Sequence, residues 1–229
     1  KGAGAGMMIE VPLMIKMTKE IVRATSLPVT VKTRLGWDDD SKNIVGLAEM
    51  LQDTGIAALT IHGRTREQMY RGEADWDLIG QVKNNPRMKI PIFGNGDIDS
   101  PQKAREYFNR YGVDGIMIGR AAIGRPRIFS EVKHYLQTGE LLPPLTVSDQ
   151  LDLIVEHMEK GLEWKDSSRG ITSMRRFFAV SFKGLTNLKE TRIRLLKADE
   201  LGKVHSILSE IREKWGDQEL NSVPSKEEK

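Results

Sequence analysis

The 229-residue sequence contains no cysteine. That excludes disulfides, thiolate nucleophiles and cysteine-ligated zinc from these residues. Histidine is scarce as well. His62, His134, His157 and His205 are scattered with no metal-ligand spacing, so no metal is expected. No apolar run approaches the ~18 residues of a membrane span, and mean hydropathy is −0.41. The opening KGAGAGMMIE has no apolar core of a secretory signal. The expectation is a cytoplasmic protein that does not enter a membrane. Lys1 stands at the first position rather than a Met, which leads us to expect that further sequence precedes it.

The net charge of +3 hides a gradient. Residues 165–197 carry nine Lys/Arg and two acids, a net of +7, so the remainder carries −4. A basic segment on a mildly acidic body points to a polyanionic partner.

Residues 90–120, IPIFGNGDIDSPQKAREYFNRYGVDGIMIGR, read as strand, glycine turn, helix, strand, glycine turn. Ser100 is placed to cap the helix, Pro101 suits its first position, and Gly112 closes it. Both strands end in glycine followed by a polar residue, at one edge of a parallel sheet. Two such turns with Arg120 beside them suit a phosphate.

The rest of the chain extends this pattern. Residues 12–25 are helix-like, with Leu13, Met17, Ile21 and Val22 on one face. Strands are expected over 28–34 and 57–62, with a helix carrying Ile44, Leu47, Ala48 and Leu51 between them. A polar loop, GRTREQMYRG, then leads to a short helix capped by Asp75. After the fourth strand, Pro126 opens a helix with Phe129, Val132, Tyr135 and Leu136 directed inward. Four β/α repeats of ~30 residues are half of the eight that a (β/α)8 barrel needs. Beyond Pro143-Pro144 the pattern is helical only, starting from a helix capped by Ser148. The expected fold is α/β: the C-terminal half of a (β/α)8 TIM barrel over residues 1–143, a small all-α domain over 144–216, and a disordered tail over 217–229.

Functional side chains of a parallel barrel lie at the C-terminal ends of its strands. Those ends supply Lys32 and Arg34; His62, Arg64 and Arg66; Asn95 and Asp97; Gly119 and Arg120. A Lys at a barrel mouth needs an anion, and either a ligand or Asp97 could supply it. His62 is readable as a ligand contact or as a core histidine.

The segments VTVKTRLGWDDD, LTIHGRTREQMYRGEADW, IPIFGNGDI and DGIMIGRAAIGRPRIF, in this order, resemble the bacterial tRNA-dihydrouridine synthases. MRRFFAVSFKGL resembles part of that family's C-terminal helical domain, and the resemblance covers about residues 1–215. It implies an FMN-dependent oxidoreductase that takes electrons from NADPH. Hydride goes to C6 of a tRNA uridine, giving 5,6-dihydrouridine, and a cysteine acid protonates C5. It implies FMN contacts from Lys32, His62, Asn95, Gly96, Asp97, Gly119 and Arg120. It also implies tRNA contacts from Arg34, Arg64, Arg66, Arg175, Arg176, Lys183 and Arg192. The family carries its acid in a Gly-Cys-Pro loop that is absent here and is expected a few residues upstream of Lys1. No catalytic residue is therefore expected within the chain, and the chain alone is expected to be inactive on tRNA. Two other readings stay open: a non-catalytic RNA-binding module, and a phosphate-binding half-barrel that self-associates through its open edges.

Overall fold

The computed structural model describes residues 4–182 and 184–220. Four parallel strands form one sheet in chain order: β1 (Thr30–Arg34), β2 (Ala58–His62), β3 (Ile92–Asn95) and β4 (Gly115–Met117). Helix α1 (Val11–Arg23) precedes β1. Helices α2 (Ile44–Gln52), α3 (Asp77–Lys83) and α4 (Pro101–Tyr111) occupy the three crossovers. Helix α5 (Ile128–Thr138) follows β4. Then come α6 (Val147–Leu162), α7 (Ser167–Phe178), α8 (Lys189–Lys197) and α9 (Leu201–Trp215). The expected order of four β/α repeats followed by helices alone is the observed one.

The chain divides into two compact units, residues 1–121 with 135–138, and 122–134 with 139–229. In the first unit Leu59, Ile61 and Ile92 of the strands are fully buried, as are Leu47, Leu51, Ile79, Val82 and Ala104 of α2 to α4. Strand residues alternate between two faces, so these apolar positions define the helix-covered side of the sheet. The second unit has its own core, built by Leu151, Ile154 and Met158 of α6, Ile171, Met174 and Phe178 of α7, Leu195 of α8, and Val204 and Ile211 of α9.

Local signals set both ends of α4. The Ser100 side chain accepts from the Lys103 N–H at the start of α4, Pro101 is its first residue, and Gly112 closes it at φ 65°. Elsewhere the structure departs from expectation. Strand β3 runs over Ile92–Asn95 and includes the first glycine of the expected turn, because the Ile92 N–H is taken by the Asp114 carboxylate and pairing with β2 continues through Gly94 and Asn95. Residues 4–9 form a 3-10 helix, with Met8 buried. Lys1, from which the expected upstream cysteine loop was reckoned, lies with Gly2 and Ala3 outside the described residues. Helix α3 starts after Trp76, and Asp75 accepts from the Asp77 N–H just outside it. The cap of α6 is Thr146 rather than Ser148: Thr146 Oγ1 accepts from the Asp149 N–H while Asp149 accepts from the Thr146 N–H.

Of the stripe predicted on α1, Leu13, Met17 and Ile21 are each about half exposed, while Val22 is half-buried. Helix α1 packs against residues 4–9 and α2 and buries Met14 and Thr18 instead. On α5, Ile128 and Val132 are the buried positions, while Phe129 is 53% exposed and Leu136 37%. The tail is ordered through Leu220. Val147 N–H donates to Gln218, Leu220 N–H donates to Leu145, and Thr146 bridges Glu219. Residues 221–229 lie outside the described residues.

Candidate functional site

The parallel register builds the site. Lys32, Thr60, Phe93 and Gly115 form one lateral row across the four strands, and Arg34, His62, Asn95 and Met117 form the next. Both rows lie on the sheet face opposite Leu59, Ile61 and Ile92. Three of the four strands thus bring a lysine, an arginine, a histidine and an asparagine onto one surface at their C-terminal ends. Gly115 is required in its row, because a Cβ there would stand 2.4 Å from the Phe93 ring.

Just beyond β3, Asp97 collects cations. Its carboxylate takes both terminal nitrogens of Arg64, at 2.9 and 2.7 Å, Nη2 of Arg120 at 2.8 Å, and the Ala74 N–H at 2.8 Å. Burial pushes this carboxyl upward, but the Arg64 hydrogen bonds, the Ala74 N–H and the charges of Arg64 and Arg120 more than offset it and hold it below the usual range. Asp97 adopts φ 55°, a left-handed conformation that few residues other than glycine, Asn and Asp accept.

Arg64 is 2% exposed. Beyond Asp97 it donates to the carbonyls of Arg71 at 3.1 Å and Gly72 at 2.6 Å. Arg34 donates to the carbonyls of Thr65 at 2.7 Å and Met69 at 3.0 Å. Two of the three rim arginines expected to meet RNA are therefore spent inside the protein, holding the loop after β2. Arg66 lies over Trp37 at 5.7 Å. The loop presents Tyr70, 57% exposed, with the Arg120 guanidinium 4.8 Å above its ring and His62 6.4 Å away. Tyr70 escaped the sequence reading because nothing in a polar loop marks which side chain will turn to the strand ends.

His62 is 7% exposed. Burial, with the charges of Arg34, Lys32 and Arg64, lowers its pKa from 6.5 to about 4, so the ring is neutral near pH 7. Arg64 Nη1 lies 3.4 Å from His62 Nε2. Arginine has no acceptor, so Nε2 accepts and the proton sits on Nδ1. The folded pKa lies below the unfolded one. The associated stability is therefore full above about pH 6.5 and falls as pH drops through 6.5 toward 4, where the folded form also protonates. An NMR titration should place the His62 ring at about pH 4, and His62→Gln should flatten stability across that window. A titration near 6.5 would contradict the arrangement.

Lys32 has no carboxylate ion-paired to it among the described residues, and Asp97, the partner considered for it, is engaged elsewhere. Its own burial and the nearby Arg34 charge press its pKa downward. The Asn95 amide donates to the Met117 carbonyl at 2.7 Å. The glycines of the expected phosphate cradle differ. At Gly94 a Cβ would lie 2.0 Å from the Trp76 ring, and at Gly96 (φ 133°) 2.6 Å from Ala74 Cβ, so internal packing accounts for both. At Gly119 nothing stands within 4 Å, which leaves its backbone open to approach.

Of the basic residues in the second unit, Arg176 is exposed and Arg192 half-buried. Arg175 Nε is buried with no hydrogen-bond partner among the described residues. Lys183 lies outside the described residues.

The model of the dihydrouridine synthase (Dus) family matches residues 1–213. The chain belongs to this family. It is 42% identical over 190 residues to a probable tRNA-dihydrouridine synthase of Rickettsia conorii, covering 83% of this chain and 57% of that protein. It is 44% identical over 176 residues to tRNA-dihydrouridine synthase B of Shewanella oneidensis, covering 77% and 54%. With tRNA-dihydrouridine synthase B of Pseudomonas aeruginosa the figures are 45% over 158 residues, 69% and 47%. The chain spans about half the length of the curated relatives it matches. The dihydrouridine synthase match runs through the four β/α repeats and the helices that follow, and so takes in both rows and the Asp97 cluster.

Proposed function

We propose that the chain is the FMN-facing and tRNA-facing portion of a cytoplasmic tRNA-dihydrouridine synthase that uses NADPH, with residues 1–143 as barrel portion and 144–216 as RNA-binding helical domain. The observation that carries this reading is the pair of rows. They put Lys32, His62 and Asn95 on one sheet face, beside a cationic side chain, Arg120, that is still 52% exposed.

These residues suit FMN. Lys32 lacks a carboxylate partner and can meet the electron-rich edge of a flavin ring, stabilising negative charge there. Neutral His62 offers its Nδ1–H as a donor without adding charge. The Asn95 amide is engaged with Met117, which leaves its carbonyl oxygen for the cofactor. Arg120 and the open Gly119 backbone face the phosphate end. Bound flavin would supply hydride chemistry. Asp97 then acts one step back, orienting Arg120, and Gly96 serves the turn that carries Asp97. Among the RNA contacts we retain Arg66 and the basic residues Arg175, Arg176, Lys183 and Arg192. Arg34 and Arg64 act by holding the Tyr70 loop.

No cysteine is present between Lys1 and Lys229 to hold a proton for C5 of uracil. The 229-residue chain should therefore form no dihydrouridine on unmodified tRNA with FMN and NADPH. FMN, followed by quenching of its fluorescence, should bind the chain, and Arg120→Ala or Lys32→Met should each weaken binding by about ten-fold, the loss of one charge-assisted contact. Dihydrouridine formation by the chain, or FMN affinity in both variants equal to that of the unaltered chain, would overturn the reading.

A further inference from the structure

Trp164 is 86% exposed, the most solvent-accessible of the large apolar side chains among the described residues. It sits in the turn between α6 and α7, where nothing in the helical core needs it. Tryptophan is amphipathic and bulky, and full exposure of its ring leaves a large apolar surface in water.

Its surroundings are not apolar. Helix α7 turns Gly170, Ile171, Met174 and Phe178 to the core. Its opposite face carries Ser168, Arg169, Thr172 and Arg176, all exposed and spaced at helical intervals, and exposed Lys165 precedes the helix beside Trp164. Four of these, with Ser173, line a surface depression. Lys165 and Arg176 have no ion pair among the described residues, and Arg169 shares only a 3.4 Å contact with Asp166, the residue that caps the helix. The acids nearby in the chain are Glu159 and Glu163 at the end of α6 and Asp166 at the cap of α7, and Lys160 stands among them beside Lys165 and Arg169. A protein partner with an apolar patch would favour neutral neighbours around the ring. A ring followed by cations and hydroxyls along one helix face matches a nucleic-acid strand, in which stacked base and charged backbone alternate.

We infer that Trp164 is a stacking platform for an unpaired RNA base, with Lys165, Arg169, Arg176, Ser168 and Thr172 receiving the adjoining sugar-phosphate backbone. The inference rests on the RNA reading above and adds to it a base-contacting residue and a direction along α7. Because Trp164 is exposed and outside the core, its replacement leaves folding intact, which circular dichroism checks.

The test uses the 229-residue chain with an unmodified tRNA transcript, a decauridylate and an abasic decamer. Trp164→Ala should weaken binding of the first two by about 5- to 150-fold, as base–aromatic stacking predicts, and leave the abasic strand unaffected. Acrylamide quenching of the Trp164 fluorescence should fall when decauridylate binds. Unchanged affinity in Trp164→Ala, while the triple variant Arg175→Ala, Arg176→Ala, Arg192→Ala loses tRNA, would overturn the inference and leave the RNA reading standing. An equal loss for the abasic strand would show a role other than stacking and would also overturn it. Failure of the unaltered chain to bind any RNA would sink both.

Discussion

Asp97→Ala should destabilise the first unit by roughly 3–5 kcal/mol, the usual cost of removing one partner from a buried ion pair. The cation left behind is Arg64, 2% exposed, with two of its nitrogens directed at the missing carboxylate. The carbonyls of Arg71 and Gly72 still solvate part of the guanidinium but carry no charge to balance it. The Ala74 N–H loses its acceptor and Arg120 its anchor. Alanine also fits poorly at φ 55°, so Asp97→Asn is the cleaner variant: it keeps the shape and tolerates the backbone but removes the charge. Urea unfolding should rank wild type above Asn above Ala. The pH dependence has a definite sign. The folded pKa of Asp97 is depressed, so its contribution is full above the unfolded value of about 3.9 and is lost as pH falls through the lower folded value. The gap between wild type and Asp97→Asn should thus be open at pH 7 and narrow below about pH 4. A loss under about 1 kcal/mol in both variants would mean that the Arg64–Asp97 pair behaves as an exposed ion pair.

Much of this was legible in the sequence, and the failures have physical causes. The four strands, the Ser100-Pro101 start of α4 and its Gly112 end follow from local chemistry, because caps and turns are satisfied by residues three or four positions apart. The residues facing the site were legible too, since strand ends in a parallel sheet fall on one edge. What the sequence could not show is how the cations divide their labour. Arg34, Arg64 and Arg66 look alike as charges at strand ends. Their roles depend on acceptors far along the chain, such as Asp97, 33 positions after Arg64. The same holds for glycine. Gly94-Asn95-Gly96 reads as a turn because glycine commonly breaks strands. In the folded chain Gly94 stays within β3, since its missing side chain makes room for Trp76.

That accommodation yields the second large effect. Trp76→Ala should cost roughly 3–5 kcal/mol, in line with deletion of a large buried aromatic. The ring is 2% exposed, packs edge-on against Tyr107 at 4.9 Å and tilted against Tyr111 at 5.7 Å, and its Nε1–H donates to the Gly96 carbonyl at 3.0 Å. Truncation removes the packing and orphans a buried carbonyl one residue before Asp97. Gly94→Ala attacks the same contact from the other side, because its Cβ would lie 2.0 Å from the indole. The indole has little room to retreat. Its N–H is tied to Gly96 and the α4 tyrosines stand beside it, so overpacking of about 1–3 kcal/mol or more is expected. The two changes should not add. In the double variant the alanine methyl at 94 enters space the indole has vacated, so the pair should cost less than the sum of the singles by more than about 0.5 kcal/mol. Additive costs in a double-mutant cycle would mean that Gly94 is required for something other than Trp76. A sub-additive cycle would tie the glycine of the apparent turn to the packing that sets the height of Gly96, and through it the place where Asp97 gathers Arg64 and Arg120.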